Sequence, residues 1–398
     1  MSTTNTGSDL PRLYTSLPTE VTFDFSTKLH REANNIAEFG EDSYFDVEVT
    51  GNSILAGSFD GYCIDTDRGI PSTGTLTAKV YSTYEPLPDE LIGLSTIPGA
   101  PPGFGNIEKP ENLDLVNWIL NQSFVDKELL DESNNSLGNV TYGDIQKAIW
   151  GLIDDNDTPV SGDVPFNQAR VDRIQALATE LGEGFVPSYE YTTYFGEQVT
   201  GQVGVILAPD TNPNDSVPFD RQILIIGVPL AKLGDRVFED SNANGIQDVG
   251  ENGIAGATVN LLADVDGDGV IESGEVVDTT TTDANGNYHF TVLPGDYQVQ
   301  FETPDGFTES SPANPAITGN PADATDSDAG VGGVTETITI AAGEENPTID
   351  AGFYNLASLG DFVFNDENQD GVQNNGEPGI PDAVVKLLDG NGNPVLDG

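Results

Sequence analysis

Between residues 240 and 377 the chain spells one twelve-position pattern three times. Oxygen-bearing side chains stand at positions 1, 3, 5 and 9, glycine at 6 and glutamate at 12, and position 7 can offer its carbonyl. The first copy is Asp240, Asn242, Asn244, Gly245, Ile246, Asp248 and Glu251. The second is Asp264, Asp266, Asp268, Gly269, Val270, Glu272 and Glu275, and the third Asp366, Asn368, Asp370, Gly371, Val372, Asn374 and Glu377. This spacing wraps a loop around a calcium ion, the glycine making its sharp turn. A single match is a common surface turn; three in so short a stretch point to calcium. The flanking residues are strand-like, so no helix pair is expected around the loops.

These loops lie in an internal repeat. Leu233–Leu262 realigns with Leu359–Leu388 at an offset of 126, identical at 17 of 30 positions, which is the mark of stacked modules. The chain stops inside the second copy, so it reads as a fragment. Asp283-Ala-Asn-Gly-Asn-Tyr288 reads as a hairpin turn rather than a further loop of this kind.

Charge narrows the function. Across 398 residues, 14 Lys plus Arg face 66 Asp plus Glu, a formal charge of −52. From residue 231 onward three basic residues (Lys232, Arg236, Lys386) face 31 acidic ones. Nucleic acid needs a basic surface, so it is not an expected partner; nor is anionic lipid. With 37% hydrophobic residues the chain is more than an acidic tail. One cysteine allows no internal disulfide. No apolar run is long enough to cross a membrane. The N-terminus lacks the basic and apolar regions of a signal peptide, so a removed leader or a C-terminal export signal is expected.

Residues 1–20 read as a flexible leader. Val21–Thr27, Ser43–Gly51, Ile54–Asp65 and Thr73–Thr83 carry the β pattern, and Pro86–Pro110 reads as a long loop. Helical spacing follows over Leu113–Phe124, Asp126–Glu132, Thr141–Asp154 and Asn167–Leu181, before strands return at Gln198–Leu207 and Gln222–Pro229. The expected fold is mainly β. An α+β front domain over 21–230, a barrel or sandwich with a helical insertion, precedes repeat modules at 231–355 and 356–398.

Within that front domain, Thr141 and Asp144 read as a capping box. Ile145, Ala148, Ile149 and Leu152 make one buried helix face. Gln146 and Trp150 lie four apart on the neighbouring face, where the indole can shelter the carboxamide. Upstream, Ser58–Asp65 reads as a strand end running into a turn, and holds Cys63. A carboxamide is a poor electrophile, so a thiol attacks it only in enforced contact, which can supply roughly 7–11 kcal/mol of a barrier. Asp60, Asp65 and Asp67 are expected to raise the Cys63 pKa, about 1.4 kcal/mol for each unit. The alternative is a buried structural cysteine and a solvated helix glutamine.

Tyr62-Cys-Ile-Asp65 with Gln146-Lys-Ala-Ile-Trp150 resembles the thioester domains of Gram-positive surface adhesins. That resemblance implies an internal thioester between Cys63 and Gln146, flanked by the shielding residues Tyr62 and Trp150. It implies an extracellular, surface-associated protein that attaches to amine-bearing targets and is not a turnover enzyme. The residue before the glutamine, often Thr in that family, is Ile145 here. Leu-Gly-Asp-x-Val-Phe, opening both copies of the repeat, resembles the B-type repeats of serine–aspartate-repeat surface proteins, Greek-key β-sandwiches that bind calcium. On that resemblance Asp323, Asp326 and Asp328 form a further calcium cluster. The related collagen-adhesin domains often carry a Lys–Asn cross-link. Residues 233–354 contain no Lys, which leaves calcium as the brace. A purely structural calcium-binding surface protein is the competing reading. A cysteine hydrolase would need His30 or His289, and neither has an orienting partner in the sequence.

Overall fold

A computed structural model describes residues 17–27, 45–51, 53–65, 73–92, 107–153, 165–209, 221–312, 325–330, 332–357, 359–388 and 390–395. The chain begins with four strands, β1 (Glu20–Thr27), β2 (Phe45–Thr50), β3 (Gly57–Cys63) and β4 (Thr73–Ser82). Val21, Phe23 and Phe25 alternate with polar residues, as do Phe45, Val47 and Val49, and the apolar set of each strand is buried. The loop expected over Pro86–Pro110 lies partly outside the described residues, as do most of the leader, His30 and Asp67.

Between β4 and the last barrel strands lies the helical insertion. Its helices are α1 (Leu113–Leu120), α2 (Tyr142–Ile153) and α3 (Gln168–Leu181). Asn167 caps α3, its side chain accepting from the N–H groups of Ala169 and Arg170. Asp126–Glu132, expected to be helical, is instead part of a hairpin of β5 (Glu128–Leu130) and β6 (Ser136–Asn139). Asp126 takes φ 62° and Asn134 φ 62°, left-handed turn conformations that end a helix. Only one residue there, Leu129, is fully buried, so no helical face exists to be packed. The single strand expected over Gln198–Leu207 is divided: its start, β8 (Gln198–Thr200), pairs with β7 (Glu190–Thr192) in a second hairpin, and its remainder belongs to the barrel.

The front domain finishes with β9 (Gln202–Pro209) and β10 (Leu224–Pro229), which close a six-stranded antiparallel barrel in the order β1-β2-β3-β10-β9-β4. Both strands are buried along nearly their whole length. The reason is visible in their alternation: Val205, Leu207, Leu224 and Ile226 point into the barrel, while Ile206, Ala208, Ile223 and Ile225 pack under the helices. A strand covered on both faces reads as a continuous apolar run. Gly204 lets α1 approach, since a Cβ there would lie 2.9 Å from Asn117 Oδ1, which accepts the Gly204 N–H at 2.7 Å. One turn on, Asn121 makes a two-point clip on β9, accepting from Gln202 N–H at 2.7 Å and donating to Gln202 O at 2.8 Å.

The first repeat starts one residue after the barrel ends. Its strands are β11 (Ala231–Leu233), β12 (Val237–Glu239), β13 (Thr258–Leu262), β14 (Val276–Thr281), β15 (Phe290–Val292), β16 (Gly295–Phe301), β17 (Glu309–Ser310), β18 (Ile338–Ile340), β19 (Glu345–Asn346) and β20 (Ala351–Tyr354). A four-stranded sheet β14-β13-β16-β18 faces two three-stranded ones, β15-β11-β19 and β12-β20-β17. Tyr288, Phe290, Tyr297, Phe301 and Phe353 fill the space between them. Residues 283–287 do form a tight turn, with Asp283 N–H donating to Asn287 O. The flanking strands then join different sheets. Repeat and barrel share apolar contact: Leu293 is fully buried in the barrel's cluster beside Leu230. Lys232 lies 5.9 Å from the centre of the Tyr189 ring.

Residues Asn355–Gly398 form a second compact unit. Its described backbone holds two isolated bridges, Phe364 with Gly379 and Leu388 with Pro394, and Leu359, Val384, Val385 and Leu387 are exposed.

Candidate functional site

The capping box forms as expected: Thr141 N–H donates to Asp144 Oδ2 at 2.8 Å, and Asp144 N–H to Thr141 Oγ1 at 3.4 Å. Asp144 is fully buried and carries a second duty, missed in the sequence. Its carboxylate pairs with Arg170 Nε at 2.6 Å and accepts the Asn167 N–H at 2.6 Å, locking the start of α3 to the start of α2. Removing the arginine would strand a buried carboxylate, a cost of about 3–5 kcal/mol.

With α2 so fixed, Gln146 reaches the end of β3. Cys63 N–H donates to Gln146 Oε1 at 2.8 Å, and Gln146 Nε2 donates to Cys63 O at 2.8 Å. The geometry is that of a strand ladder. The β2–β3 register ends at Phe45 opposite Gly61, and Ile64 N–H bonds on the β10 side, to Ile223 O. Backbone groups alternate sides, so those of Cys63 face the β2 side, where the carboxamide supplies the donor and acceptor of the missing residue. Both side chains are fully buried.

Cys63 is a free thiol in the barrel's apolar cluster. Burial pushes its pKa well above the ordinary thiol value, and the Asp65 carboxylate adds to this. Burial, not among the causes read from the sequence, is the larger one, and Asp65 is the expected acid that adds to it. Trp150 packs against the same cluster, and its Nε1–H is buried without a hydrogen-bond partner. Tyr62 points the other way, into the cluster under the helices. A cavity of about 230 Å³ opens there, lined by Tyr62, Ile145, Phe124, Lys127, Glu197 and Asp60.

The three twelve-residue loops share one hydrogen-bond plan. The position-6 glycines, Gly245 (φ 73°), Gly269 (φ 88°) and Gly371 (φ 76°), are left-handed. Each donates its N–H to the first carboxylate, at 2.7 Å from Asp240, 2.8 Å from Asp264 and 2.8 Å from Asp366. Each terminal glutamate accepts at both oxygens: Glu251 from Ser241 and Asp248, Glu275 from Val265 and Glu272, Glu377 from Glu367 and Asn374. Side-chain oxygens therefore turn inward while the backbone N–H groups hold them. In the second loop carboxylate oxygens of Asp264, Asp266 and Asp268 lie within 4.8 Å of one another. There the Glu272 pKa is raised, first by its hydrogen bond with Glu275, then by desolvation and by the charges of Asp268 and Asp266. In the other two loops amides replace some acids: Asn242 and Asn244 both donate to Asp248 Oδ2, and Asn374 to Asp370. Ile246, Val270 and Val372 stand at position 7, and Asn368 at position 3 of the third loop accepts from Asp370 N–H. This donor set, hard oxygens around a glycine turn, fits calcium.

Of the further cluster, Asp323 lies outside the described residues. Asp326 and Asp328 are described, with Asp326 buried and bridged to Ile246 of the first loop. His289 is exposed and lies one residue before β15, not within a strand.

Residues 60–183 match the family model "Thioester domain", and residues 231–353 and 357–397 match "SdrD B-like domain". The chain carries a thioester domain followed by SdrD B-like domains. Serine-aspartate repeat-containing protein F of Staphylococcus epidermidis is 32% identical over 274 residues, 68% of this chain and 13% of that protein. Bone sialoprotein-binding protein of Staphylococcus aureus is 31% identical over 368 residues, 90% of this chain and 29% of its own length. The chain thus spans less than a third of the length of these relatives. The N-terminal thioester domain of a Clostridium perfringens surface protein superposes on 52% of this chain and 97% of its own at a TM-score of 0.26 and 15% identity, a likeness too low to bear on function. The thioester-domain protein so identified belongs at the cell surface, as its sequence implied. Among the described residues no helix is long and apolar enough to cross a membrane.

Proposed function

We propose that this is the attachment end of a surface adhesin, with residues 21–230 as a thioester domain and 231–355 and 356–398 as calcium-braced repeats. The reading rests on one observation: the Gln146 carboxamide is seated on the backbone of Cys63 by two 2.8 Å hydrogen bonds. The Cys63 thiolate attacks Gln146 Cδ, and its proton leaves with the carboxamide nitrogen as ammonia. Cys63 N–H already lies where the oxygen of the tetrahedral intermediate gathers charge, the position at which a fixed donor is most effective. A target amine, such as a lysine of a protein ligand, then attacks the thioester carbon and expels the Cys63 thiolate. The product is an amide at Gln146, so the reaction ends after one event and there is no turnover. Calcium, if held by the carboxylates and carbonyls of the three loops, would supply the charge neutralisation that lets those carboxylates converge. The S. aureus relative is named for binding bone sialoprotein, which supports a protein ligand as the class of target.

Intact mass tests this. Fresh native protein is expected to be lighter than its sequence by one ammonia, and methylamine should add at Gln146 while freeing Cys63. Cys63→Ala and Gln146→Ala should each abolish addition. Labelling that persists in Cys63→Ala would rule out the thioester as its source.

One observation favours the structural alternative, an ordinary buried thiol in a calcium-binding surface protein. Asn121 clips Gln202 with the same two-point geometry and no thiol nearby in the sequence. Full mass with a free Cys63 would decide for that reading.

A further inference from the structure

Cys63 is not the last residue that the barrel holds by a carboxamide. Two positions on, Gln222 Nε2 donates to Asp65 O at 2.9 Å, and between them Ile64 N–H bonds to Ile223 O at 3.1 Å. Gln146 on one edge and Gln222 on the other therefore keep residues 63–65 extended. Side chains along an extended stretch alternate faces. Tyr62 and Ile64 accordingly lie in the cluster under the helices, while Cys63 lies in the barrel's. Asp65 follows this alternation onto the thiol's face, its Cα about 6–7 Å from that of Cys63.

Asp65 is 1% exposed. An acid buried so completely is expensive to keep, and the clip between Gln146 and Cys63 makes no use of its side chain. Burial and then the Asp65 charge raise the Cys63 pKa, so the sulfur keeps its proton until something takes it. The other side chains on this face are apolar: Phe45 and Val47 from β2, Phe59 from β3, Leu224 and Ile226 from β10. Asp60 is turned the other way and lines the cavity beside Tyr62. Of the described residues that 45–50, 57–65 and 224–229 turn to the thiol's face, only Asp65 can accept a proton.

We infer that Asp65 is the proton carrier of the acyl transfer, an inference that rests on the proposed bond between Cys63 and Gln146. Asp65 takes the thiol proton, directly or through one water, as the sulfur attacks Gln146 Cδ. The Cδ–Nε2 bond then breaks, and the Asp65 carboxyl returns that proton to the departing nitrogen, which leaves as ammonia. When a target amine attacks, Asp65 takes one of its protons. The Cδ–Sγ bond breaks, an amide remains at Gln146, and the proton passes to Cys63 as the thiol. One buried carboxylate thus serves both the making and the opening of the thioester.

Asp65→Asn keeps the shape and removes the acceptor. Followed by intact mass on the freshly folded full chain, its loss of ammonia is expected to slow by about 10²-fold or more, the usual contribution of a placed base. Methylamine addition to whatever thioester has formed should slow likewise. Hydrogen exchange at Cys63 N–H, protected by the Gln146 carboxamide, is expected to match the native chain. Full mass in the native chain itself would sink the thioester reading before any variant is made. Undiminished ammonia loss in folded Asp65→Asn, with the native chain reacting, would overturn the inference alone. So would slowed reaction together with fast exchange at Cys63 N–H, the mark of a carboxyl that only holds the strand. Should Asp65→Asn fail to fold, methylamine addition to the native chain is compared in H2O and D2O. A slower rate in D2O is expected there, and equal rates would overturn the proton transfer.

Discussion

The barrel and the repeat behind it solve the same problem, holding polar groups in a fixed place, by opposite routes. In the barrel, Cys63 and Gln146 are 83 positions apart and meet in a frame where Asn117 and Asn121 fasten α1 to β9 and the Asp144–Arg170 pair fastens α2 to α3. In the repeat each loop builds its site within twelve residues, from its own backbone N–H groups. The second unit sharpens this contrast. Asp366–Glu377 has the same hydrogen-bond plan as Asp240–Glu251. Yet Leu359 is exposed while its counterpart Leu233 is fully buried. A loop site needs only its own sequence; a core needs strands from elsewhere, and the residues that bury Leu233 come from 290–353.

The largest effect expected from this contrast is calcium withdrawal. A ligand at a hundred times its Kd adds about 2.7 kcal/mol to the folded state, so two loops in 231–355 together contribute about 5 kcal/mol. Calorimetry in chelator should show the repeat's transition falling steeply while the barrel's moves little, since Leu293 is its main debt to the repeat. A single transition that shifts as a whole would break the comparison and make barrel and repeat one cooperative body.

Opening the thioester should do the reverse. A link closing 83 positions (146 − 63) is worth up to about 4.5 kcal/mol by loop entropy. Methylamine should therefore lower the barrel's transition and leave the repeat's in place. Gln146→Ala removes the clip as well as the link, and should fall further than amine treatment does. Equal melting before and after amine would mean that the two-point clip alone fastens β3, as Asn121 fastens β9.

The same contrast explains what could be read from the sequence. Loops are written in spacing, so position-6 glycines and inward acids were legible down to the residue. The helix face Ile145, Ala148, Ile149 and Leu152 was legible for a similar reason, as a period. The hairpin at 128–139 was not, because Asp126–Glu132 keeps a helical rhythm while two left-handed turns override it. Neither was the Asp144–Arg170 pair, 26 positions apart, nor the way Gln146 stands in for a β2 residue.

The smallest expected effect separates the two loops of the first repeat. Asp264–Glu275 brings five acidic side chains to its ion and Asp240–Glu251 three. Charge count raises affinity, and so does rigidity. The structure sets these two factors against each other. Asp240 is fully buried and accepts Ser311 Oγ–H at 2.7 Å as well as Gly245 N–H, so the first loop is better preorganised. In the second loop Asp266 and Asp268 are exposed, and the Glu272 pKa is raised first by its hydrogen bond with Glu275 and then, after burial, by the neighbouring acids. One neutral hydrogen bond to a carboxylate is worth roughly 1.5–3 kcal/mol, but Ser311 makes it with or without calcium, so it favours binding only through order. Two additional carboxylates act on the bound state directly, at about 1 kcal/mol each even in water-like surroundings. The first loop is therefore expected to empty first as calcium falls, with a Kd up to about tenfold weaker for each 1.4 kcal/mol of difference. Amide exchange at Gly245 and Gly269 during a calcium titration reads the order. Ser311→Ala should widen the gap between the two; if instead Gly269 opens first in the native chain, preorganisation outweighs charge in these loops.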